Sequence, residues 1–119
     1  MSESYGNVSD DELVARYRTA LANSIYGHLS DESVEALIVQ SVDIATELKS
    51  RGSLSKLLPL LDDESSHVRV GAAVNCLPLA RQKCIATLQS LAHDRNPYVA
   101  AEAGLYLIRE GIKIEPKSK

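Results

Sequence analysis

The chain has no tryptophan and no phenylalanine, a single methionine and only two cysteines. Any hydrophobic core must therefore come from leucine, isoleucine, valine, alanine and some of the five tyrosines. Small and aliphatic residues of this kind suit helices packed closely, about 8–10 Å between axes. Cys76 and Cys84 form no Cys-x-x-Cys motif and are too few for a disulfide framework. They read as two buried or half-buried thiols in a reducing compartment. Basic character is also missing: the net charge is −3 and the pI about 5.6. A nucleic-acid binder needs a basic face, because neutralised phosphates supply most of its affinity. No apolar run approaches the roughly 18 residues a membrane helix requires. The opening residues lack the basic and apolar regions of a signal peptide. The expectation is a soluble cytoplasmic protein with no membrane or nucleic-acid partner. His28, His67 and His93 are scattered singly, with no His-x-x-x-His spacing and no phosphate-cradling glycine loop. Neither a metal nor a cofactor is expected.

What is present is helix signal. At 119 residues the chain suits one domain, enough to bury about two thirds of the surface its unfolded form exposes. Ser9-Asp10-Asp11-Glu12 is a capping box, and Leu13, Tyr17, Leu21 and Ser24 or Ile25 follow at helical spacing. Gly27 is the expected stop. A second helix follows Ser30, with Asp31, Glu32 and Glu35 near the positive end of its dipole. Its expected buried face is Val34, Leu37, Ile38, Ser41, Val42, Ala45 and Leu48, and Lys49, Arg51 and Gly52 close it. Shorter helices are predicted over 54–61, 67–77, 81–92 and 97–110, with Pro97 at a first helical position and Gly111 as the last stop. Ser53 and Ser66 read as caps rather than nucleophiles. Residues 1–8 are expected to be a disordered N-terminus and 112–119 a basic, fraying tail.

Sliding the chain by 31 residues lays one hairpin on another. Leu54, Leu57 and Leu60 fall on Ile85, Leu88 and Leu91; Asp63 falls on Asp94. Val68, Ala72, Ala73 and Leu77 fall on Val99, Ala103, Gly104 and Ile108. Units of this length cannot bury their faces alone and stack on one another. The stretch from Leu57 through Leu60, Leu61, Asp62 and Asp63 to Val68, Arg69, Ala72 and Ala73 resembles a HEAT repeat. The following hairpin is similar but has Ala100 where the first has Arg69. The whole chain also resembles a family of short bacterial HEAT-like domains without an assigned biochemical activity. The resemblance lies in the opening Asp11 to Tyr17, the helix end Glu47 to Gly52, and Leu57 to Leu61. It implies an all-α fold, a right-handed α-α superhelix (a HEAT-like solenoid, armadillo-like) of about three helical hairpins. The domain would span 9–111, divided into a long N-terminal hairpin at 9–52 and repeats at 53–79 and 80–111. Members of that family are regarded as immunity proteins beside secreted toxins, so the resemblance implies a toxin inhibitor as one function.

Three sets of residues stand out as candidate partner-binding positions. Glu35, Val39, Asp43 and Glu47 recur every four residues, forming an acidic ridge that either docks a basic partner or is simply a solvated face. Tyr98, Glu102, Tyr106 and Arg109 share one ridge of the last helix, and Tyr and Arg are enriched at binding hot spots. Tyr106 could equally cap the open end of the stack. His67 and Asn75 fall on the equivalent ridge one repeat earlier. Arg69 either presents a cation on an inner, ligand-facing helix or bonds Asp62 or Asp63 across the turn. The residues point to a non-catalytic protein–protein interaction module, monomer or homodimer. The alternatives are a homo-oligomeric adaptor subunit and, with less support, a nucleic-acid enzyme built on helical repeats, for which a basic groove and stacking aromatics are lacking.

Overall fold

Ser9 sets the start of the first helix in the computed structural model, which describes residues 5–116. Its Oγ accepts from the Glu12 N–H at 3.1 Å, satisfying one of the free donors of helix α1, Asp10–Ala22. Only half of the expected capping box forms, because the Glu12 carboxylate turns to Arg16 at 3.1 Å. Helix α1 ends at Ala22, before Gly27. Asn23 accounts for this: its side-chain amide and its own N–H both donate to the Thr19 carbonyl and close the last turn. Ser30, accepting from Ser33 N–H, starts α2, Asp31–Ser50. A 3-10 helix follows at Leu54–Asp62, then α3 Ser66–Cys76, α4 Arg81–Leu91 and α5 Pro97–Arg109. The described residues contain no β-strand, and no helix among them is long and apolar enough to cross a membrane. The chain divides into two compact units, Met1–Leu57 and Leu58–Lys119.

In the first unit α1 packs against α2 around Leu13, Tyr17, Ala20 and Leu21 on one side. Val34, Ser41, Ile44, Ala45 and Leu48 are the buried residues on the other. The face of α2 differs from the expected one. Ile38 and Val42 are 37% and 54% exposed, while Ile44 is fully buried. The inward positions step by threes and fours from Val34 through the half-buried Leu37 to Ser41, Ile44 and Leu48, the narrow seam of two helices packed along their length. Ser41, the polar member, satisfies its hydroxyl on the Ile38 carbonyl at 2.6 Å.

The far end of α2 is fastened to the start of α1. Arg51 Nε bonds Glu47 at 2.7 Å, and Nη1 bonds both the Val8 carbonyl at 2.7 Å and Asp10 at 3.0 Å. Nη2 donates to the Tyr5 carbonyl. Contact between the end of α2 and the start of α1 makes the pair antiparallel. Within the segment expected to be disordered, 1–8, these bonds order residues 5–8. Residues 1–4 lie outside the described residues, whereas Tyr5 is buried and 5–8 are held by arginine donors on their carbonyls. Ser53 is not a cap: its hydroxyl donates to Asp10 at 2.6 Å. Gly52 closes α2 as expected, with φ 74°, a conformation that favours glycine, and Ser53 N–H bonds back to the Leu48 carbonyl at 2.8 Å.

The segment expected as a third α-helix is 3-10. Pro59 has no N–H to give and its ring crowds the carbonyl four residues back, which disfavours α-helix here. Leu54, Leu57 and Leu60 are buried at a spacing of three, which matches three residues per turn.

In the second unit α3 packs on α4 and α5, and α4 on α5. The 31-residue correspondence holds there at the level of turns and caps. Asp63 accepts from Ser65 N–H at 2.9 Å and Asp94 accepts from Asn96 N–H at 3.0 Å. Ser65 then caps α3 and Asn96 caps α5. Ser66, expected as the cap, is instead the first helical residue. Val68, Val99, Ala72 and Ala103 are all buried. Leu77 is buried too, but its counterpart Ile108 is 62% exposed. Arg81 at the start of α4 pairs with Glu110 just beyond α5 at 2.6 Å, so α4 and α5 are antiparallel. Gly111, also at φ 74°, repeats the closure seen at Gly52, with Ile112 N–H on the Leu107 carbonyl.

The expected fraying tail is ordered where described. Gln89 Nε2 donates to the Lys113 carbonyl and Gln89 Oε1 accepts from Glu115 N–H, both at 2.9 Å. His93 Nε2 lies 2.7 Å from the Glu115 carbonyl. A primary amide carries one donor edge and one acceptor, which matches the backbone of an extended segment. Residues 117–119 lie outside the described residues.

Candidate functional site

Helix α5 presents aromatic, aliphatic and charged side chains together on its exposed face. Asn96 Oδ1 accepts from Tyr98 N–H at 2.9 Å and Val99 N–H at 3.3 Å, and Pro97 begins the helix with the φ it already prefers. The start of α5 is thereby fixed, and with it the rotation of every side chain beyond. Val99, Ala103, Gly104 and Leu107 face inward. The opposite face presents Tyr98, 57% exposed, Leu105, 61% exposed, and Ile108. Arg109 lies over the Tyr106 ring, 5.1 Å from its centroid, and that stacking orients both side chains. Glu102 is exposed one turn from each tyrosine, and desolvation raises its carboxyl above the usual range. All four residues singled out on this ridge from their spacing thus sit on one helix, with Tyr106 half-buried and the other three exposed.

Leu105 and Ile108 were not singled out. The 31-residue shift matches Ile108 to Leu77 as core, and Leu105 carries no signal beyond its place between Glu102 and Ile108. The one available clue was angular: on a helix whose inward face is Val99, Ala103 and Leu107, Leu105 must point away from the core.

The corresponding ridge of α3 is largely committed to its own structure. Asn75 Nδ2 bonds the Gly71 carbonyl at 3.0 Å, one turn back. His67 is half-buried. Desolvation lowers its pKa from the usual value, while the nearby Asp94 charge acts in the opposite direction.

On α2, in the other unit, the four-residue ridge survives only in part. Glu35, Val39 and Asp43 are exposed, whereas Glu47 is half-buried and paired with Arg51. Val39 is flanked by the exposed Ile38 and Val42, so the outer face of this helix is apolar with acidic margins.

Arg69 does not bond the acidic turn. Asp62 is taken by Lys83 at 3.6 Å and Asp63 accepts from the Ser65 N–H. Arg69 Nε is buried and has no hydrogen-bond partner. The two cysteines are buried and free, and burial pushes the Cys76 thiol up to about 11 and raises that of Cys84. Among the described residues no group of three or more His, Cys, Asp or Glu is placed to hold a metal ion. No family model, no curated protein and no solved structure matches this chain.

Proposed function

We propose that the protein is a non-catalytic binding module that docks a protein partner on the outer face of α5. The observation that carries this reading is that Tyr98, Leu105 and Ile108 are each more than half exposed on a single, well-capped helix. Apolar and aromatic side chains gathered on one exposed face usually mark a contact surface, and single exposed ones do not. Tyr and Arg supply large contact area, and the Tyr106–Arg109 stack lowers the ordering cost of binding. In the form the family resemblance implies, the partner is a toxin and binding neutralises it.

The test is co-expression with the product of the neighbouring gene, followed by calorimetric titration of the purified pair. Tyr98→Ala and Leu105→Ser are expected to weaken the complex at least about tenfold each, as hot-spot truncations costing more than 1.4 kcal/mol do. Gln82→Ala, at an exposed polar position of α4, serves as the control and leaves affinity unchanged. A complex indifferent to both α5 substitutions would rule this face out. The exposed aliphatics Leu105 and Ile108 also support a second reading, a homodimer joined through α5, because a self-complementary apolar face favours two-fold pairing. Light scattering over a concentration series separates the two readings.

A further inference from the structure

We infer that the second unit holds a carboxylate-binding pocket between α3 and α4, built on Arg69 and fitted to an acidic side chain of a protein partner. The pocket has a volume of about 280 Å³ and is lined by Leu61, Arg69, Lys83, Ala86, Thr87 and Ser90. It is distinct from the α5 face, and does not depend on that face being a docking surface.

Three observations converge on it. First, the Arg69 Nε is buried from solvent and has no hydrogen-bond partner. A charged group with a buried, unmade donor is costly, and an anion entering the pocket would offset that cost. Second, the cation is not a requirement of the helix packing. The equivalent position one repeat later is Ala100, in a helix that is also side-chain capped, after a similar Asp turn, and buries the matching Val99 and Ala103. Third, the carboxylates of the adjacent turn are engaged elsewhere: Asp62 with Lys83, Asp63 with Ser65 N–H.

The chemistry of the pocket selects the ligand. Arg69 and Lys83 contribute two positive charges, and Asp62 offsets one of them. One uncompensated positive charge suits a monovalent anion better than a phosphate dianion. Donors are available from the guanidinium, the Lys83 ammonium and the Ser90 hydroxyl. The Thr87 hydroxyl is already donating to the Lys83 carbonyl at 2.9 Å. Leu61 and Ala86 supply apolar wall for methylene groups. The volume is just under the range of about 300–1,000 Å³ typical of sites for whole small ligands, and suits a single side chain. These features together describe a glutamate side chain with its carboxylate on the arginine fork.

The reporter is the Arg69 Nε–H resonance of the nitrogen-labelled full chain. It is followed during titration with N-acetyl-glutamate amide, N-acetyl-glutamine amide, chloride and inorganic phosphate at constant ionic strength near neutral pH. The glutamate probe is expected to shift the resonance saturably, and the neutral glutamine isostere is not. Lys83→Gln, at an exposed position, keeps the fold and weakens the glutamate response by about two- to fivefold, the weight of one exposed ion pair. Arg69→Gln abolishes it, and its own folding is checked by helix circular dichroism. An equal response to the glutamine probe or to chloride, or no saturable shift, would overturn the site. Tighter binding of phosphate would overturn its assignment to a carboxylate. None of these measurements reports on α5, so failure here leaves the proposed docking face standing, and the reverse holds too.

Discussion

Asp10 accepts from Ser53 at 2.6 Å and Arg51 at 3.0 Å, and lies 3.3 Å from the Lys56 ammonium. The Ser53 bond, then the Arg51 bond, hold its carboxyl down at about 2, against an ordinary value of 3.8. The folded unit therefore prefers the charged form. Its contribution to stability is fully present above 3.8 and is lost as pH falls through about 2, because the unfolded chain takes up the proton first. The wild-type chain should lose stability across that window. Asp10→Asn should be less stable than wild type near neutral pH, since Arg51 and Lys56 lose an anionic partner, and its decline on acidification should be shallower. Urea midpoints from helix circular dichroism, measured at a series of pH values, check both parts. Parallel acid declines in the two proteins would assign the loss to other carboxylates.

At the level of elements, four of the five α-helices open on a residue whose side chain accepts a backbone N–H: Ser9, Ser30, Ser65 and Asn96. Adjacent serines at the start of α3 make a controlled comparison. Ser65 is the cap and Ser66 is already helical. Ser65→Ala should cost about 0.5–2 kcal/mol, the usual range for a lost N-cap. Ser66→Ala should fall within about 0.5 kcal/mol of wild type, as surface substitutions without a special role do. Equal losses at both positions would show that the cap bond contributes nothing. The pair also shows what could be read in the sequence and what could not. Helix number, order and most boundaries follow from caps, Gly52, Pro97 and Gly111, which act locally. The serine that caps α3 is decided by Asp63, which turns Ser65 N–H inward and fixes the entry to the helix. Which flank of α2 is buried depends on how α1 lies along it, so Ile44 could not be told from Ile38 by spacing alone. The α5 ridge was legible because four residues at helical spacing define a face without reference to a partner. The Arg69 pocket was not, because its content lies in a bond that does not form.

For the molecule as a whole, a core without phenylalanine or tryptophan relies on close packing of small and aliphatic groups. Both thiols are part of that packing, with Cys76 and Cys84 fully buried in the second unit. Reaction with a disulfide reagent requires the thiolate, and the Cys76 thiol at about 11 is almost entirely protonated near neutral pH. Burial also blocks the approach of the reagent. Labelling must therefore proceed through an opened state in which the thiol is exposed and its pKa has returned to its ordinary value. Both cysteines should then label far more slowly than a free thiol, at rates that climb with urea well below the unfolding midpoint if opening is cooperative. They should also climb together, since α3 packs on α4 and the two residues lie on those two helices. Mass spectrometry with an alkylating pulse distinguishes the two sites. Fast native-state labelling of either cysteine would mean that the second unit opens locally around it, and that its small-residue core is not the cooperative block described here.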